Sequence, residues 1–349
     1  MKKIYFLGAL LACTLSFGQT ILNEDFNYTV PGNIGGNSGV TAPLDGIAVN
    51  NWITHSNTSG NTGTIDLVSG SLNYTGLQVS TGNRVLLPGS NATVPRDINR
   101  SITTSVTTVY YSLLLNVVDN SQLSTTTPNY FTGIGATAGI SVTTLGARLG
   151  VYSTNTGANY RLSIQNISGG TPTFTDFATD LAYGTTYLVV VKYDRAAIPT
   201  VASLWVNPSS ASFGATEPVG SVSNNSGTGT FTAFASIFLR NTAATPKVEI
   251  DEFRIGQTWA DVTPQNLSRN EYGNINGLNI YPNPAKNLLN ITSDSFETKT
   301  VVIYNVLGKV VLSANVTNAP INVANLAKGV YVVKVTESEK TATRKLVIE

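Results

Sequence analysis

From about residue 20 to 264 the chain is a succession of short runs in which apolar and polar residues alternate, each closed by a cluster of Gly, Asn, Ser or Thr. In Val109-Tyr110-Tyr111-Ser112-Leu113-Leu114-Leu115-Asn116-Val117 every odd position is apolar or aromatic, while Ser112 and Asn116 enter at even ones. That period of two predicts a strand with one core face. Tyr187 to Tyr193 repeats the theme, and Leu204-Trp205-Val206, Ile237-Phe238-Leu239 and Phe253-Arg254-Ile255 are shorter versions. Ser69-Gly70, Pro88-Gly89, Ser168-Gly169-Gly170 and Asn207-Pro208 supply turns between them. No segment sustains a helical period. Many strands without crossover helices predict an all-β chain, an antiparallel β-sandwich of the jelly-roll kind.

The alternation lapses in the polar, Gly/Asn-rich stretch 265–277, which reads as a linker, and resumes over 278–349. There the strand signals are Leu288 to Ile291, Val301 to Val306, Lys309 to Leu312, Ile321 to Val323, Val330 to Val335 and Arg344 to Ile348, enough for a second, smaller β-sandwich. At the other end, Lys2-Lys3 followed by the apolar run Ile4 to Leu15 and the small residues Ser16 and Gly18 predicts a signal peptide over 1–18, cleaved before Gln19. A rival reading takes Leu10-Leu11-Ala12-Cys13 as a lipoprotein box; the apolar run continuing past Cys13 speaks against it. The run is too short to span a bilayer, and no transmembrane helix is expected in the mature chain. The first sandwich is expected over 19–264.

Charged residues make up 12% of the chain, about half the roughly 25% usual for a soluble domain. The formal charge of +1 falls to −1 once Lys2 and Lys3 are set aside, and no basic stripe remains to hold nucleic acid. Cleavage after Gly18 removes Cys13, the single cysteine, and with it thiolate chemistry and disulfides. His55 is the single histidine and no Gly-x-Ser-x-Gly elbow accompanies it, so hydrolysis here would fall to carboxylates.

Four blocks near the C-terminus occur in a fixed order: Ile280-Tyr281-Pro282-Asn283-Pro284, Val302 to Lys309, Leu326 to Val335 and Arg344 to Ile348. Together they resemble the C-terminal sorting domain (type A) of cargo for the type IX secretion system. The resemblance covers 278–349, and its motif positions are Tyr281, Pro282, Asn283, Pro284, Gly308, Gly329 and Lys345. It implies the type IX machinery as partner and an extracellular or outer-membrane-surface location. Pro282 and Pro284 cannot donate ladder hydrogen bonds, which suits an edge strand. The first domain resembles a concanavalin A-like (laminin-G-like) jelly roll at its two ends, in Asn23-Glu24-Asp25-Phe26 and in Val248 to Gly256 followed by Thr258-Trp259-Ala260-Asp261.

Alternation along the last strand puts Glu249 and Asp251 on one face with Phe253 and Ile255, and Glu252 on the other. An inward Asp251 needs donors or a cation. Either neighbouring backbone N–H groups satisfy it, or a structural Ca²⁺ is shared with Glu24 or Asp25. Glu249-Ile250-Asp251 is also the first half of the strand signature of family-16 glycoside hydrolases, with Glu249, Asp251 and Glu252 as the available carboxylates. The acid/base position of that signature holds Phe253 or Arg254, so only one half of the catalytic pair is present.

Sugar binding needs flat aromatic platforms beside amides and acids. Trp52, His55 and Trp205 are the main candidates, with Tyr74, Tyr152 and Tyr160 behind them; each aromatic is otherwise core or plain sheet surface. The resulting expectation is a secreted or surface-displayed, non-catalytic protein that binds a polysaccharide or glycan. A carboxylate glycosidase and an adhesive or structural surface protein are the alternatives.

Overall fold

The structure, a computed structural model, describes residues 20–35, 48–55, 64–89, 96–242, 245–266, 275–317, 319–338 and 340–349; the expected signal peptide lies outside them. The chain divides into two compact units between Asn266 and Leu267. Gln265 and Asn266, at the start of the polar stretch, pair back onto Leu77 and Gly76, and Ile275 near its end is buried in the second unit.

Two antiparallel sheets make the first unit. The larger has the order Val222–Asn224, Val201–Val206, Thr186–Asp194, Thr108–Val117, Lys247–Gly256, Arg84–Pro88, Ile65–Val68, Gly32–Ile34, and Thr20–Glu24 also pairs with Lys247–Gly256. The second runs Thr175–Asp176, Asn159–Ile167, Leu145–Thr154, Asn129–Gly135, Ser236–Asn241, Arg96–Ser101, Trp52–His55, Ala48–Val49. Their facing surfaces enclose the main core, in which Tyr111, Leu113, Val189, Phe131, Leu149, Leu162 and Ile237 are fully buried. The all-β, antiparallel sandwich architecture expected from the alternation is present.

The Thr108–Val117 strand has two buried faces, not one. Its odd residues enter the sandwich, while Tyr110 and Leu114 enter a second apolar cluster on the other side of the larger sheet with Leu188, Val190, Trp205, Phe213 and Trp259. Ser112 lies beneath that cover, its hydroxyl donating to the carbonyl of Val262 at 2.6 Å. The cover includes Leu72, Leu77, Phe213 and the four-residue helix Trp259–Val262, which starts with a Thr258/Asp261 capping box. A sheet covered on both sides explains why this strand reads as a near-continuous apolar run.

A bulge changes the face of the last strand. Asp251 pairs with Leu114 and Arg254 with Ser112, so Glu252 and Phe253 together oppose Leu113. Glu252 takes a φ of 50°. The inward set therefore switches from Val248 and Ile250 to Phe253 and Ile255. Asp251 thus lies on the opposite face from Phe253 and Ile255, contrary to simple alternation.

The second unit is a small sandwich. A three-stranded sheet (Asn279–Tyr281, Leu288–Thr292, Ile321–Asn322) and a four-stranded one (Val310–Val316, Lys299–Tyr304, Gly329–Glu337, Lys340–Ile348) enclose Leu289, Ile291, Val301, Ile303, Val333, Val335 and Leu346.

Candidate functional site

The smaller sheet of the first unit turns an unusually polar face away from the core. Along Leu145–Thr154, Leu149 and Val151 point inward, so Arg148, Gly150 and Tyr152 point outward. On its neighbour Asn159–Ile167, Leu162 and Ile164 are core, which turns Arg161, Ser163 and Gln165 outward. Ile237 and Leu239 do the same for Phe238 and Arg240, and Ile98 for Asp97 and Asn99. Trp52 enters the core, so His55, three residues on, is on the polar face.

Register lines these groups up. His55 pairs with Asp97, and Asp97 pairs with Arg240 on the next strand. The Arg240 guanidinium lies 4.4 Å from the centroid of the Tyr130 ring. The Arg148 guanidinium lies 4.6 Å from the same ring, and Arg148 pairs with Gln165. The result is one polar row across six adjacent strands: His55, Asp97, Arg240, Tyr130, Arg148, Gln165. At about 4.8 Å per strand it is about 24 Å long.

The electrostatics of the row are unbalanced. Two guanidiniums on one ring lie within about 9 Å of each other, which costs roughly 2 kcal/mol at an effective dielectric of 20. Among the described residues neither makes an ion pair. Arg240 Nη1 donates to Asn129 Oδ1 (3.1 Å) and to the Tyr130 carbonyl (3.3 Å). Burial lowers the Arg148 pKa, against the opposing pull of the Tyr130 side chain. Asp97 is pushed up to about 7, chiefly by desolvation, with Arg240 and the backbone N–H of Asn241 acting the other way.

Three buried polar atoms of the row, Asp97 Oδ1, Arg148 Nε and Gln165 Oε1, have no hydrogen-bond partner among the described residues.

The surroundings hold the row in place. The Asn99 amide lies 3.1 Å from His55 Nδ1 and exchanges hydrogen bonds with the backbone of Gly139 (2.8 and 2.9 Å). At the other end Asp176 accepts from Tyr152 and Ser163, both at 2.7 Å, and Arg161 is neutralised by Asp180 at 2.6 Å. Gln165 Nε2 donates to the Pro172 carbonyl. A Cβ at Gly150 would come within 2.6 Å of the Phe174 ring, so only glycine lets that ring approach the sheet.

Of the residues singled out in the sequence, only His55 and Tyr152 lie on this face. Trp52 is fully buried, stacked on Phe26, with its indole N–H donating to Glu24 Oε2 at 3.1 Å. Trp205 does face away from the main core, but it is buried in the second cluster, 5.2 Å from Trp259, and its N–H donates to the Pro218 carbonyl. Tyr160 is core, and Tyr74 packs against Phe213. Neither Trp52 nor Trp205 presents a face to solvent.

The carboxylates expected to bind metal or to act in catalysis are engaged by protein donors. Glu24 accepts from the Phe26 N–H (3.0 Å), the Tyr28 hydroxyl (2.9 Å), Trp52 and Arg100. Asp25 accepts from the Asn27 N–H and the Thr81 hydroxyl. The first and last strands do pair, with Glu24 opposite Phe253, yet Asp251 takes its donors elsewhere, from the N–H groups of Leu72 and Glu252. Among the described residues no three His, Cys, Asp or Glu side chains are grouped to hold a metal. Glu249 is held by Arg84 (2.8 Å) and Asn116 (2.9 Å), and Glu252 pairs with buried Arg254. The bulge does turn Glu252, but into that pair and not into an open groove.

In the second unit Asn283 ties the entry segment to the last strand: its Nδ2 donates to the Lys345 carbonyl at 2.9 Å, and its Oδ1 accepts from the Val347 N–H at 2.8 Å. Tyr281 is half exposed, and Pro282 and Pro284 flank Asn283 on the exposed edge. Gly308, at φ 77°, makes the turn between Lys299–Tyr304 and Val310–Val316. Gly329 opens the Gly329–Glu337 strand.

Residues 279–349 match the family model of the secretion system C-terminal sorting domain. That tail marks the chain as type IX cargo, bound for the exterior or the cell surface. Among the described residues no helix is long and apolar enough to cross a membrane. Beta-agarase D of Zobellia galactanivorans is 38% identical over 73 residues, 20% of this chain and 15% of that protein's own length. Among solved structures, an endo-β-1,4-glucuronan lyase from Trichoderma reesei is similar at 13% identity and a TM-score of 0.41, over 65% of this chain and 99% of that one. An endo-1,3-β-glucanase from Streptomyces sioyaensis is similar at 12% identity and a TM-score of 0.33, over 69% and 96%.

Proposed function

We propose that this exported protein is a non-catalytic glycan-binding protein whose ligand lies along the polar row on the smaller sheet of its first unit. The observation that carries the reading is the row itself. In a chain with 12% charged residues, six strands contribute one line of hydrogen-bonding and charged side chains with an aromatic ring at its middle. A sugar chain needs such a surface: a ring face for C–H contact and flanking donors and acceptors that fix orientation. Asp97 is the one carboxylate in the row, whereas a two-carboxylate hydrolase needs a partner about 5 Å or more away across the sugar. Glu249, Asp251 and Glu252 are occupied on the other sheet, which favours binding over glycosidase chemistry.

The test is retention of the full chain on insoluble polysaccharides and a glycan array. Saturable retention that falls at least tenfold in Tyr130→Ala, with unfolding unchanged, is the expected result. Retention indifferent to Tyr130→Ala, or no retention of a folded protein on any glycan, would remove the proposal.

A further inference from the structure

Resting on that reading, we infer that the ligand is an acidic glycan, recognised through the carboxylates of uronate residues at the Arg148–Tyr130–Arg240 centre of the row. Both guanidiniums pack on one ring, at 4.6 and 4.4 Å, and among the described residues neither makes an ion pair; Asp97, the cross-strand neighbour of Arg240, is itself pushed toward its neutral form by burial. The other arginine on this face, Arg161, is neutralised by Asp180. Two cations held against each other, neither in an ion pair, are the arrangement an anion relieves.

The same place has a donor and an acceptor waiting. Arg148 is 8% exposed and Gln165 is 4% exposed; the two are direct cross-strand partners, and Arg148 Nε and Gln165 Oε1 are both unpartnered. A planar guanidinium fork suits a carboxylate. A hydroxyl of the same sugar can donate to Gln165 Oε1, and the Tyr130 ring offers its remaining surface to the sugar's C–H groups. A uronate carries all three features on one ring. A neutral sugar would leave both guanidiniums without an ion pair, and a sulfate ester would satisfy the charge without requiring the amide.

Affinity electrophoresis of the full chain through gels holding polyglucuronate, alginate, dextran sulfate or neutral dextran reads this directly. Retardation is expected in the two polyuronates, weakened by salt and reduced at least tenfold in Arg240→Gln. Arg240→Lys should recover only part of it, because a point charge replaces a fork. Arg161→Gln should leave it unchanged. Thermal unfolding of each variant separates lost binding from lost fold, and Arg148→Gln is the second variant if Arg240→Gln does not fold.

Equal retardation by neutral dextran, indifferent to both arginine variants, would overturn the acidic class and leave the glycan reading standing. Dextran sulfate retarding the protein as strongly as the polyuronates, with full recovery in Arg240→Lys, would overturn the carboxylate assignment. No retardation on any of the four, joined to failure on the wider array, would sink the glycan reading as well.

Discussion

Asp251 Oδ2 accepts the backbone N–H of Leu72 at 2.8 Å, across 179 residues of chain, and so fastens the cover of the larger sheet to a strand beneath it. Its other oxygen accepts from the Glu252 N–H at 2.7 Å, at the bulge. Asp251→Ala should leave two buried N–H groups without acceptors, at about 1–3 kcal/mol each. The expected outcome is a loss of about 2–4 kcal/mol in urea unfolding. Faster proteolysis within 71–82 should accompany it. Unchanged stability would show that the cover is held by packing alone.

The same carboxylate sets a pH dependence. Burial pushes Asp251 up to about 8 and Asp97 up to about 7, and it raises Glu252 in the same direction. A carboxyl whose folded pKa lies above its unfolded value contributes stability below the unfolded pKa and loses it as pH rises through the folded one. Stability should therefore fall from about pH 4, the unfolded carboxyl value, to about pH 8, by no more than about 1.4 kcal/mol per pH unit for each group, and level off above that. Melting curves across that range should show the slope, and Asp251→Asn should flatten its alkaline part. A melting temperature that rises from pH 5 to 8 would contradict the assignment.

Trp52, Trp205 and Trp259 are all buried, at 0%, 5% and 2% exposure. Intrinsic fluorescence should be blue-shifted, shielded from acrylamide and indifferent to glycan. Trp52→Ala removes a core indole and the N–H that Glu24 accepts, and is expected to cost about 3–5 kcal/mol. Loss of binding in that variant would report unfolding and not a missing platform. A soluble, stable Trp52→Ala protein with a selective binding defect would reverse this assignment.

The all-β sheets and the C-terminal sorting tail are legible because each rests on local pattern: alternation, turn residues and short motifs. The candidate site was legible only at His55 and Tyr152. Its other members come from strands whose order is not sequential, so no spacing along the chain could show that Asp97, Arg240, Tyr130 and Arg148 meet. One local signal was available: in Arg148-Leu149-Gly150-Val151-Tyr152 the polar and small positions alternate with core ones. The face of Asp251 was misjudged because a bulge at Glu252 inserts one residue, and a period of two carries no warning of that. Trp205, a candidate platform by sequence, is covered because the loops that bury its side of the sheet come from distant parts of the chain.

In the sorting unit, Lys299 is fully buried, its ammonium donating to Glu337 at 2.8 Å and to the carbonyls of Ser295 and Glu297 at 3.1 Å. Glu337 also accepts from the Ser293 hydroxyl at 2.8 Å. Removing one partner of a buried, hydrogen-bonded pair leaves the other charge uncompensated, at about 3–5 kcal/mol. Lys299→Ala should therefore unfold residues 275–349 preferentially, whereas Lys299→Met with Glu337→Leu, which removes both charges, should recover most of the stability. With this tail read as the sorting domain, the single variant is expected to accumulate inside the cell and the double variant to reach the medium or the surface. Immunoblots of cell, surface and medium fractions read both outcomes. Normal export of a Lys299→Ala chain whose tail is shown to be unfolded would mean that the machinery reads the linear motif around Tyr281 to Pro284 and not the folded sandwich.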